Sequence, residues 1–95
     1  MLDKVKLALR IKTDAFDSEI QDLIAAALAD LGIAGVVNND GPETNDPLIV
    51  RAVVTFCRAF FGQPDDYDRL KLSYDEQKAQ LQMATGYTEW GGENG

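Results

Sequence analysis

The side chains able to do chemistry are carboxylates, one thiol and a few loop amides. Asp14, Asp17, Glu19 and Asp22 fall close together, and such carboxylates can share acid and base duty or hold a cation. Acid–base work, however, needs two carboxylates held in different environments inside a pocket. These four crowd the first turns of a helical pattern, where negative charge complements the helix dipole and stays solvated. Asn38-Asn39-Asp40-Gly41 has the outline of a calcium loop but lacks the ligand alternation and the closing bidentate Glu, so it reads as a turn. Gly32-Ile33-Ala34-Gly35-Val36 has neither the preceding strand nor the Lys-Ser/Thr of a phosphate loop. Asp65, Asp66 and Asp68 around Tyr67 mark another helix start, with capping and solvation as their roles. Cys57 stands alone in an apolar run and reads as an inert buried thiol; a single cysteine excludes an intrachain disulfide. There is no histidine, the commonest general base and zinc ligand. Neither an enzyme nor a chain with a cofactor or metal is expected.

Charge is more informative than any motif. The net charge is −7, which disfavours nonspecific binding to nucleic acid, since phosphate contacts need clustered Lys and Arg. Residues 1–12 nevertheless carry Lys4, Lys6, Arg10 and Lys12 against Asp3, whereas residues 13–46 carry eight acids and no base. A basic start and an acidic second segment, with Asp17, Glu19 and Asp22 at its front, predict a head-to-tail contact between copies. The competing expectation is that both are solvated faces.

The elements that carry these groups are helical. Leu2, Val5, Ala8 and Leu9 predict a short amphipathic helix over 2–11. A second helix begins at Asp14 or Asp17 and runs to Leu31. Its core stripe is Ile20, Leu23, Ile24, Ala27, Leu28 and Leu31, and Gly32 is its expected left-handed stop. Residues 33–46 form a long loop rich in Gly, Asn and Asp. Asp46 as cap and Pro47 at the first helical position open a third helix, closed by Gly62 and Pro64. Of its residues only Arg51, Thr55 and Arg58 are strongly polar, on one narrow stripe. A helix otherwise apolar all round belongs in the core, with part of its surface meeting another subunit. A fourth helix starts near Pro64-Asp65-Asp66 and runs to about Ala84. Its seam is Tyr67, Leu70, Tyr74, Gln77, Leu81 and Ala84, and Asp65 is placed to pair with Arg69. Gly86 is its expected stop. Beyond it, Tyr87 and Trp90 lie in a Gly-rich tail, where they either fold back onto the domain or anchor to a partner.

The fold class is therefore all-α: a compact bundle of about four helices with a long loop after the second and an extended C-terminal tail. Residues 1–95 read as a single domain, with 86–95 as a flexible or docking tail. A chain of this length buries only roughly 60–65% of its unfolded surface, so a partner is expected to contribute stability. No stretch is long and apolar enough to span a bilayer, and the start is not a secretory signal, so the chain is expected to stay where it is made. One alternative function is a small acidic inhibitor that mimics nucleic acid and blocks a host DNA-binding protein.

The run from Leu2-Asp3-Lys4-Val5-Lys6-Leu7 to Ile11 resembles the opening of the head–tail connector family of long-tailed bacteriophages and prophages. Phe16-Asp17-Ser18-Glu19-Ile20, Asp46-Pro47 with Phe60-Phe61-Gly62, and Ser73-Tyr74-Asp75-Glu76 followed by Thr85-Gly86-Tyr87-Thr88 are similar to its later elements, in the same order. The match stops at Thr88. The resemblance implies a structural virion protein at the head–tail junction, assembled in the bacterial cytoplasm. It implies a ring beneath the portal, of about twelve copies to match portal symmetry. Its partners would be the portal protein, a tail or stopper protein, and DNA sliding through the lumen without sequence-specific binding. No membrane and no cofactor are implied.

Overall fold

Asp46-Pro47 shows most directly how local sequence becomes structure. In the computed structural model, which describes residues 1–62 and 64–84, Asp46 Oδ1 accepts hydrogen bonds from the Leu48 and Ile49 amides at 3.0 and 3.3 Å. Pro47 takes the first helical position, where its missing N–H leaves nothing unsatisfied. The helix so started, Pro47–Phe60, is the third of four α-helices, after α1 (Leu2–Leu9) and α2 (Asp17–Ile33) and before α4 (Tyr67–Met83); it is termed α3. A single 3-10 turn at Gly41–Glu43 lies in the connection before α3, and no strand occurs among the described residues. The fold is all-helical.

Two helices end in the same hydrogen-bonding device, at positions the sequence pattern misplaces. α1 closes at Arg10, whose φ is 60°; the Arg10 and Ile11 amides bond back to the Leu7 and Lys6 carbonyls at 3.1 and 2.9 Å. α2 runs through Gly32, the expected stop, and closes at Gly35 with φ 92°. There the Gly35 and Val36 amides return to Gly32 and Leu31 at 3.0 and 2.9 Å. The reason is apolar: this closure brings Val36 beside Leu31, and both are buried in the core. The start of α2 is Asp17, and Asp14 lies in the turn before it, its carbonyl accepting from the Asp17 amide at 3.2 Å. α4 begins at Tyr67, three residues later than Pro64, and Arg69 pairs with Asp66 rather than Asp65. The proposed stop at Gly86, and Tyr87 and Trp90, lie outside the described residues.

The helices alternate in direction. Lys6 of α1 meets Asp17 of α2, Phe16 before α2 meets Phe61 after α3, and Asp30 of α2 meets Tyr74 of α4. α3 sits centrally, packing most extensively on α4, then on α2 and α1. Its Ala52, Val53 and Cys57 are wholly enclosed, with Val5, Ile20, Ile24, Ala27, Leu31, Tyr74 and Leu81 around them. Its polar stripe behaves unevenly: Arg51 and Arg58 are exposed, whereas Thr55 is buried and donates to the Arg51 carbonyl at 3.0 Å.

Candidate functional site

The basic start and the acidic second helix meet within one chain. Lys6 Nζ stands 2.7 Å from Asp17 Oδ1 and 3.0 Å from Asp14 Oδ1. Asp17 Oδ1 is enclosed, and the ammonium is what compensates it. The hydrogen bonds to Asp17 and then Asp14 push the Lys6 ammonium's pKa above its ordinary value. The contact expected between copies is thus partly made inside the subunit, where it fastens α1 to the start of α2. Lys4, Arg10 and Lys12 remain exposed, as do Glu19 and Asp22, with no ion pair among the described residues.

A second cluster surfaces where α2 and α4 start and α3 ends. Phe16 meets Phe61 edge-on, with ring centres 5.6 Å apart; Phe60 meets Tyr67 at 5.6 Å and Phe56 at 4.6 Å; and Phe56 reaches the buried Tyr74 at 5.2 Å. The ladder Tyr74–Phe56–Phe60–Tyr67 runs from the core to the surface, leaving Phe60 39% and Tyr67 38% exposed, and the separate Phe16–Phe61 pair leaves Phe16 44% exposed. Sequence reasoning did not single these residues out as a site. Its one signal was the over-apolar character of α3, from which Phe60 emerges.

The far half of the bundle is held by a polar lock. Tyr74 Oη donates to Asp30 Oδ2 at 2.5 Å and Lys78 Nζ donates to the same oxygen at 3.1 Å. The Tyr74 hydrogen bond and then Lys78 outweigh desolvation and hold the Asp30 carboxyl below its usual range. Burial, followed by the bond to Asp30, pushes the Tyr74 phenol up. Gln82 Nε2 adds a bond to the Ala34 carbonyl at 3.0 Å, so α4 is registered against the C-terminal half of α2.

On the opposite flank of α2 lies a half-open apolar groove of about 640 Å³, walled by Met1, Leu2, Ile24, Ala25, Leu28 and Pro42. The 3-10 turn forms one lip and the N-terminus of α1 the other. No groove was foreseen, because it depends on where the 33–46 connection folds.

Burial pushes the Cys57 thiol up to about 12, so it stays protonated near neutrality. Among the described residues no group of three or more His, Cys, Asp or Glu is placed to hold a metal. No described helix is long and apolar enough to cross a membrane.

The described surface carries exposed charged groups, an exposed aromatic cluster and an apolar groove. The sequence model of the phage connector protein family matches residues 1–88. The chain belongs to the phage connector family. No curated protein and no solved structure matches it. Membership makes it a structural component of the phage head–tail connection that works through association with other chains. Of the groups singled out in the sequence, Lys4, Arg10, Lys12, Glu19, Asp22 and Tyr87 fall inside the matched span; Trp90 falls outside it.

Proposed function

We propose that this connector protein forms a ring of about twelve copies beneath the portal, joins head to tail and extends the DNA channel. The observation that carries the reading is the family match over 1–88, which supports the connector role over that of an acidic nucleic-acid mimic. The exposed surfaces support it further. The exposed bases Lys4, Arg10 and Lys12 and the exposed acids Glu19 and Asp22 are open to pairing between neighbours, with Lys6 and Asp17 fastening α1 to the start of α2. The aromatic end at Phe16, Phe60 and Tyr67 offers an apolar patch for the portal or for a tail or stopper protein. With a net charge of −7, acids left facing the lumen repel phosphate and let DNA slide. The junction is its place in the virion, and the bacterial cytoplasm its place during assembly.

The test is to add the purified chain to DNA-filled, portal-bearing heads that lack a connector. The chain should bind at the portal vertex and retain the DNA. Heads that leak DNA equally with and without it would refute the proposal. Reversing Lys4 and Lys12 to Glu should weaken ring formation most at low salt, and reversing Glu19 and Asp22 to Lys in the same chain should restore it.

A further inference from the structure

Two exposed leucines stand on helix faces turned away from the core. Leu7 of α1 is 80% exposed and lies about 160° round the helix from Val5, which is fully enclosed. Leu72 of α4 is 60% exposed and lies about 160° from both Leu70 and Tyr74 of the buried seam. α1 packs on α2 and α3, and α4 chiefly on α3. Each leucine turns its back on the same core, so the two cannot meet within one chain.

Both leucines are framed by charge that the fold leaves unpaired. On α4, Arg69 pairs with Asp66, Lys71 with Asp75 and Lys78 with Asp30. Asp68 and Glu76 are exposed and make no ion pair among the described residues; they stand one turn before and one turn after Leu72 on the same stripe. On α1, Lys6 is taken by Asp14 and Asp17. Lys4 and Arg10, three residues to either side of Leu7, are exposed and likewise without an ion pair among the described residues, with Asp3 the one acid beside them. The two stripes also match in length. α1 has 8 residues, about 12 Å of helix, and the rise from Asp68 to Glu76 is about 12 Å.

We infer that the outer face of α1 in one copy packs on the outer face of α4 in a second copy, leucine on leucine, with Lys4 and Arg10 set against Asp68 and Glu76. Charge selects this pairing. α1 on α1 would set bases on bases, and α4 on α4 acids on acids. The contact is therefore heterologous, each copy giving one face and receiving on the other, and it closes into a ring when the rotation permits. Beside Glu19 and Asp22, α4 offers Lys4 and Arg10 acids that flank an apolar centre. The inference rests on the connector reading, which supplies the repeated neighbours.

Two full-length variants test it. Lys4→Glu with Arg10→Glu makes the α1 face acidic, and Asp68→Lys with Glu76→Lys makes the α4 face basic. Each variant alone should need about tenfold more protein to assemble at low salt, because attractive pairs become repulsive. Mixed in equal amounts, the two should assemble as the parent does, since acidic α1 now meets basic α4 and the unchanged faces meet each other. A mixture no better than either variant alone would overturn the inference, as would parent-like assembly of the α4 variant by itself. All four positions are exposed, so each variant should keep the far-ultraviolet dichroism of the parent. A third chain, Leu7→Cys with Leu72→Cys, is independent of the charges. Oxidised after assembly, alone or on portal particles, it should give a ladder of disulfide-linked multimers under denaturing, non-reducing conditions, while the buried Cys57 stays out of the reaction. Assembled particles with no ladder would overturn the inference and leave the connector reading standing. A parent chain that forms no oligomer, alone or with portal, would overturn both.

Discussion

Removing one oxygen at the α2–α4 lock should have a defined and pH-dependent cost. Tyr74→Phe keeps the buried ring and its edge-on contact with Phe56 but deletes the donor to Asp30 Oδ2. A hydrogen bond to a charged group contributes about 1.5–3 kcal/mol when well enclosed. Here the tyrosine is 1% exposed, but the Asp30 side chain is 38% exposed and keeps Lys78, so screening trims the expected loss to about 1–2 kcal/mol. For a chain of this size that lowers Tm by roughly 4–16 °C. The pH dependence follows from the direction of the Asp30 shift. A carboxyl whose pKa is depressed on folding stabilises fully above its unfolded value, and that contribution fades as pH falls through the folded value. The gap between parent and Tyr74→Phe should therefore be largest near neutrality and narrow below about pH 4, where only a neutral hydrogen bond remains. Urea unfolding followed by far-ultraviolet dichroism at a series of pH values measures it. A variant as stable as the parent at pH 7, or a gap equally large at pH 3, would refute the reasoning.

Asp46→Ala should cost about 1 kcal/mol, because the Leu48 and Ile49 amides lose their acceptor, and a thermal melt reads it directly. Arg10→Gly should raise stability by about 0.5–1 kcal/mol, since glycine holds a φ of 60° without strain; a lowered urea midpoint would contradict this. Cys57 should resist thiol reagents in the native chain at pH 8 and react fully in urea, so rapid native labelling would show the core to be looser than described.

How much was legible in the sequence depends on how local each cause is. The start of α3 could be read outright, since Asp46 and Pro47 act on their immediate neighbours. The stripe of α2 was plain, with Ile20, Ile24, Ala27 and Leu31 buried and Leu23 and Leu28 half-buried; the seam of α4 was read in its middle, where Leu70, Tyr74 and Leu81 are buried and Gln77 half-buried, but not at its ends, where Tyr67 is exposed and Ala84 lies past the last helical residue. The end of α2 was misplaced because Gly32 and Gly35 are equally good glycines. What selects Gly35 is the burial of Val36 against Leu31, a tertiary event. The candidate site was half legible. Opposite charge on successive segments was visible, but a charge count is silent on which chain supplies the partner, and Lys6 finds Asp14 and Asp17 in its own. Lys4, Arg10, Lys12, Glu19 and Asp22 are exposed. The aromatic cluster and the groove were illegible because each joins residues from three elements. Phe16, Phe60 and Tyr67 converge only when α2, α3 and α4 alternate, and Pro42 reaches Leu28 only through the path of the connecting loop.

The most direct test of the central claim is the molar mass of the purified chain by light scattering, over a range of protein and salt concentrations, with and without portal particles. A connector subunit should give a discrete closed oligomer of about twelve copies, alone or on the portal. A strict monomer that also leaves portal particles unchanged in mass would contradict the account.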